Sequence, residues 1–121
     1  MRILPTGVHA ALDFVWSACL LAAPVLVGFT GETIAVLVAV FFALLVVAYS
    51  LLTDYELSAV DLIPIRLHLL FDWLVGLALL AMPLAEHLNE GAKWSFVAFG
   101  SFSVLASVLT EGRASARIHP A

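Results

Sequence analysis

Four long apolar runs separated by short polar breaks make up most of this chain. The first extends from about Val8 to Gly28 and stops at Phe29-Thr30-Gly31-Glu32. The second, from about Thr33 to Leu52, carries no charge. A third spans about Pro64 to Leu84 and gives way to the polar turn Glu86-His87-Leu88-Asn89-Glu90-Gly91. The fourth runs from about Lys93 to Leu109 and is the least apolar. Each approaches the ~20 helical residues needed to cross a hydrocarbon layer about 30 Å thick. The pattern therefore predicts an all-α integral membrane protein with four transmembrane helices. Pro5 stands just ahead of the first run, where a missing amide donor is harmless, and Pro24 late in it, where it kinks or ends the helix. The link after Thr53 mixes Leu57, Val60 and Leu62 with Asp54, Glu56 and Asp61, a mixture suited to lying along the interface.

Composition strengthens this reading. Of 121 residues, 64% are apolar and 12% charged, against about 45–50% and 25% in soluble domains. With a mean hydropathy of +1.12, the solvent for so small a chain is the lipid bilayer. There is room for one domain. A net charge of −4 says little about partners, but the lack of a basic tract interleaved with aromatics argues against nucleic acid. Arg2 ahead of an apolar stretch with Ala22-Ala23 has the look of a secretory signal, but Asp13 and the run's length favour a retained first span. Cys19, the single cysteine, is expected to pack as a small hydrophobe. Arg2, Arg66, Arg113 and Arg117 fall on one side of a four-span topology and Lys93 on the other. That bias places both termini in the cytoplasm, in a bacterial-type inner membrane.

The chain also repeats itself. Pro5-x3-His9-x3-Asp13 returns as Pro64-x3-His68-x3-Asp72, 59 residues later, and Pro24 returns as Pro83. After the turn the offset becomes 57, where Ser50-Leu51-Leu52-Thr53-Asp54 meets Ser107-Val108-Leu109-Thr110-Glu111. Repeat 1 covers about 3–56, repeat 2 about 62–111, and a tail 112–121. An even number of spans per copy makes the two hairpins parallel, related by a pseudo-two-fold along the membrane normal.

In these features the chain resembles the small SPW-repeat membrane proteins over nearly its whole length. The likeness lies in the motif opening each copy, in the late proline, and in Leu51-Leu52-Thr53-Asp54-Tyr55-Glu56 closing the first. It implies two transmembrane helices per repeat with a Ser-Pro-Trp signature in the first helix of each. Here the signature reads Ala23-Pro24-Val25 and Met82-Pro83-Leu84, prolines kept and flanks changed. The resemblance implies a fold and no activity.

The polar residues inside the spans hold what chemistry there is. His9 and Asp13 lie four apart, on one helical face, as do His68 and Asp72. The stripe continues through Ser17 on the first helix and Gly76 on the third. If these small residues let the helices cross closely, both pairs converge near the pseudo-axis, each Asp about 6 Å deeper than its His. A carboxylate at mid-span costs roughly 2.5–3.5 kcal/mol on insertion scales, which calls for partners. In the first reading, each Asp accepts from its own His, or from Arg66, Tyr49 or a serine, and pins the helices of a small packing or accessory protein. Such a protein would associate with itself as a homo-oligomer or with a larger membrane complex. In the second, His9, Asp13, His68 and Asp72 bind a metal, haem, another cation or a proton. Ala35, Ala39 and Ala43, and likewise Gly100, Ser103 and Ser107, form small-residue stripes for close helix packing. Trp16, Trp73 and Trp94 are expected as packing or interface aromatics, Asp54, Glu56 and Glu111 as solvated exit residues, and His87 and His119 as exposed. There is no nucleophile triad, phosphate loop or redox pair to carry enzyme chemistry.

Overall fold

The computed structural model describes residues 4–53 and 62–110. Within them run four helices, α1 (Thr6–Ala23), α2 (Thr33–Leu51), α3 (Ile65–Ala85) and α4 (Glu90–Leu109). All four are long and apolar enough to cross a membrane, α1 counted through Gly28. The acidic residues Asp54, Glu56, Asp61 and Glu111, the cations Arg2, Arg113 and Arg117, and His119 lie outside the described residues.

Local chemistry sets the helix ends. Pro5 and Pro64 cap α1 and α3 in extended conformation, and His9 N and His68 N donate to their carbonyls at 3.0 and 3.1 Å. Pro24 does not stop α1. The chain continues as one π-helical turn, Pro24–Gly28, closed by Phe29 N donating to Pro24 O at 2.9 Å. Gly28 then takes φ +92°, which L side chains rarely adopt. The fourth helix starts at Glu90, three residues before the expected Lys93. The cause is Asn89, whose side chain accepts from Ala92 N at 2.9 Å and caps the first turn.

α1 packs chiefly on α2 and α3 on α4, with smaller contacts between α1 and α4 and between α2 and α3. Two backbone pairings tie helix ends together. Leu4 N donates to Leu109 O at 2.8 Å, and Ile63 N to Leu52 O at 2.7 Å. The start of α1 thus lies beside the end of α4, and the start of α3 beside the end of α2. At the opposite end Asn89 N donates to Glu32 Oε1 at 2.7 Å.

Large apolar side chains lie on the outside as well as in the core, where Leu20, Phe29, Leu79 and Phe96 are fully buried. Buried stripes hold the small and polar residues: His9, Asp13 and Ser17 on α1, Ala35, Ala39 and Ala43 on α2, His68, Asp72 and Gly76 on α3, Gly100, Ser103 and Ser107 on α4. Large apolar residues such as Leu37, Phe41, Leu84 and Leu105 face outward. Gly76 serves helix contact, but against α4 rather than α1. A Cβ there would lie 2.7 Å from Gly100 O, and one on Gly100 would lie 2.8 Å from Gly76 O. The two glycines meet backbone to backbone, so the close crossing falls inside the second hairpin. Ser17 is buried, and its Oγ has no hydrogen-bond partner among the described residues.

Candidate functional site

Each helix brings a different part to the bundle centre. α1 supplies His9 and Asp13, α3 supplies His68 and Asp72, and the last turns of α2 and α4 lead to Thr53 and Thr110. All six are buried. The histidine rings stand edge to face, centroids 5.4 Å apart.

The strongest pairings run between helices, not along them. His9 Nε2 lies 2.7 Å from Asp72 Oδ2, and His68 Nε2 lies 2.7 Å from Asp13 Oδ2. The same-helix contacts are longer, 3.2 Å for His9–Asp13 and 3.1 Å for His68–Asp72. Each Asp was expected to accept from its own His, or from Arg66, Tyr49 or a serine; the same-helix pair stays in contact, but the closer histidine is the one on the other helix. Side chains at i and i+4 run roughly side by side, whereas facing helices aim ring and carboxylate at one another.

The other ring nitrogens are held as well. His9 Nδ1 lies 2.6 Å from Thr110 Oγ1, and His68 Nδ1 lies 2.6 Å from Thr53 Oγ1. Both hydroxyls donate back to the helix four residues earlier, Thr53 to Tyr49 O at 2.6 Å and Thr110 to Ala106 O at 2.5 Å. A hydroxyl has one proton, so each threonine can only accept from its histidine. Nδ1 therefore carries hydrogen on both rings, and Nε2 is the nitrogen turned to the carboxylates. Each 2.7 Å Nε2···Oδ2 contact then needs one hydrogen of its own. The four groups together are electrically neutral, as a low-dielectric interior demands.

Tyr49 and Ser50 complete the shell. Tyr49 donates a short hydrogen bond to Asp72 Oδ1, and Ser50 a long one, 3.4 Å, to Asp13 Oδ2. Ser103 donates to the Asp72 carbonyl at 2.7 Å, joining α4 to α3, while Ser107 turns back to Val104 O. Arg66 is exposed and takes no part. Trp16 is a packing residue that donates to Phe99 O at 3.0 Å, whereas Trp73 and Trp94 are exposed. Cys19 is also exposed, lining a groove with Trp16, Phe99 and Phe102, and not packed inside as its sequence context suggested.

Two threonines are the residues that sequence reasoning passed over. Thr53 and Thr110 match at the 57-residue offset, so the signal was in the repeat. At a helix exit a threonine reads as a solvated cap, and nothing local announces a buried histidine beside it. A cavity of about 10 Å³ adjoins the centre, lined by Asp13, Asp72, Trp16 and Ser103 among others. That is room for about one water or bare ion, and a porphyrin does not fit it.

Compared with protein-family models, curated proteins and solved structures, the chain finds no match.

Proposed function

We propose that this is a multi-pass membrane protein of two parallel two-helix repeats, similar to the SPW-repeat proteins, in which the His/Asp centre clasps the halves together. One observation carries the reading: both ring nitrogens of each histidine make their closest contacts with the other half. His9 takes Asp72 and Thr110 from the second, and His68 takes Asp13 and Thr53 from the first. The apolar exterior supports a lipid setting, since outward Leu37, Phe41 and Leu105 suit hydrocarbon and the polar residues find one another inside. The proposed role is that of a small accessory protein, associating with itself or a larger complex of the bacterial-type inner membrane. Its surface offers contiguous apolar side chains and no catalytic constellation among the described residues.

Replacing Asp72 by Leu tests the clasp. It strands His9 and the Tyr49 hydroxyl in an apolar core, and breaking a buried pair in this way costs about 3–5 kcal/mol. Thermal unfolding in detergent should shift down sharply, and less for Asp72→Asn, which keeps the shape and a hydrogen-bonding amide. An unshifted Asp72→Leu protein would remove the clasp. Cross-linking in native membranes tests the accessory role, which fails if the protein is recovered only as a monomer.

A further inference from the structure

A clasp of two ion pairs needs only a histidine and a carboxylate on each side. This centre has more: all four ligand-type atoms lie within 4.8 Å of one another. Both Nδ1–H groups are tied to oxygen acceptors, which turns both Nε2 atoms inward. That is the outer arrangement of metal-binding histidines, where the far N–H is held by an oxygen and the near nitrogen meets the ion. Asp72 is oriented in the same way by Tyr49. Asp13 is the most open of the four, its side chain 11% exposed against 1% for His9, and marks the way in.

The geometry points to a divalent transition-metal site, with the ion held by His9 Nε2, His68 Nε2 and one carboxylate oxygen from each of Asp13 and Asp72. It uses the same side chains as the clasp but does not depend on the accessory role. Four bonds of about 2.0–2.1 Å at tetrahedral angles put ligand atoms about 3.3 Å apart. The 2.7 Å contacts would open by roughly half an ångström, within the reach of side-chain torsions. Charge selects the ion. Two carboxylates and two neutral imidazoles carry −2, and the two bridging hydrogens now cancel it. A divalent cation cancels it equally, so the exchange releases two protons to solvent and keeps the core neutral, with no change of oxidation state. A monovalent or trivalent ion would leave net charge in a low-dielectric interior. Two nitrogens and two oxygens suit Zn²⁺ or Co²⁺. Ca²⁺ seeks six or more oxygens.

The test uses the full chain, freed of any affinity tag, stripped with chelator and returned to chelator-free detergent. Titration with Co²⁺ should saturate at one ion per chain, develop the ligand-field bands of four-coordinate cobalt, and release about two protons per ion in weak buffer. X-ray absorption of the Zn²⁺-loaded protein should show nitrogen and oxygen neighbours only, at about 2.0–2.1 Å. Asp72→Asn should weaken binding. That change also disturbs the clasp. Thr53→Val with Thr110→Val loosens the clasp too but leaves all four ligands in place, and should lower affinity about 10–100-fold, whereas Thr53→Ser with Thr110→Ser should restore it. His87→Gln, a change in an exposed loop, should leave binding as it is. No saturable uptake at millimolar Co²⁺, or uptake abolished by His87→Gln and retained in the paired threonine variant, would overturn the site. Such a result with a destabilised Asp72→Leu protein leaves the clasp standing. Uptake with an unshifted Asp72→Leu protein does the reverse.

Discussion

At the scale of single residues, the centre depends on hydroxyls as much as on its ionisable groups. Thr53→Val keeps the shape but removes the acceptor of His68 Nδ1–H, and an unsatisfied buried donor costs about 1–3 kcal/mol. Thr53→Ser keeps the oxygen and should lose much less. Chemical or thermal unfolding of the two variants in one detergent separates them; equal stabilities would mean that the ring does not depend on this hydroxyl. The four ionisable residues were legible because Pro-x3-His-x3-Asp occurs twice, and a charged group deep in an apolar run has to find a partner. Which histidine meets which carboxylate was not legible. Spacing along one helix brings His9 close to Asp13, and only the tertiary arrangement of the four helices brings Asp72 closer still. Tyr49 and a serine were named as donors to the carboxylates, and both donate there. Arg66 was named beside them and points away.

At the scale of elements, small residues decide how near two helices come. Gly76→Ala would put a methyl group 2.6 Å from Val104 Cγ2 and 2.7 Å from Gly100 O. The side chain can turn, but the backbone carbonyl cannot, so α3 and α4 must part. Overpacking of this kind costs about 1–3 kcal/mol, whereas Gly31→Ala, with nothing within 4 Å, should be neutral. Ala39→Leu should cost a similar 1–3 kcal/mol, since Ala39 is wholly buried in the main apolar cluster. Unchanged melting of either buried variant would remove that residue from a tight contact. Helix spans were readable from apolar runs to within a few residues. The misses occurred at helix ends, where hydropathy is mute. Asn89 started α4 early through a single side-chain hydrogen bond, and Pro24 altered the winding of its helix without ending it.

At the scale of the whole molecule, if the four helices cross a bilayer as proposed, the link and both termini fall on one side. Four arginines against one lysine favour that side as cytoplasmic. In a Cys19→Ala background, cysteines at positions 2 and 117 should resist a membrane-impermeant thiol reagent in intact cells. A cysteine replacing Glu90 should react. Labelling of either terminus from outside would reverse the orientation. The offsets of 59 and 57 relate the two hairpins in sequence, and among the described residues the Gly76–Gly100 contact belongs to the second. In the first hairpin Ala43 occupies the position equivalent to Gly100. Repetition in sequence thus predicts the shared scheme better than the depth of each contact.

The exchange of partners across the bundle also bears on how the chain is made. Synthesis delivers α1 and α2 first, when His9 has only its longer same-helix contact to Asp13 and Thr53 still awaits its ring. The half-finished hairpin must wait with a carboxylate and a histidine facing lipid or the insertion machinery, at a stage when domains normally begin to assemble from the N-terminal side. A chain ended by a stop codon after α2 should therefore be cleared rapidly in pulse-chase, and supplying α3 and α4 from a second gene should slow that clearance. Persistence of the lone hairpin would mean that its polar groups find partners at home. On this geometry, completeness registers at the bundle centre, because His9 gains Asp72 only with α3 and Thr110 only after α4.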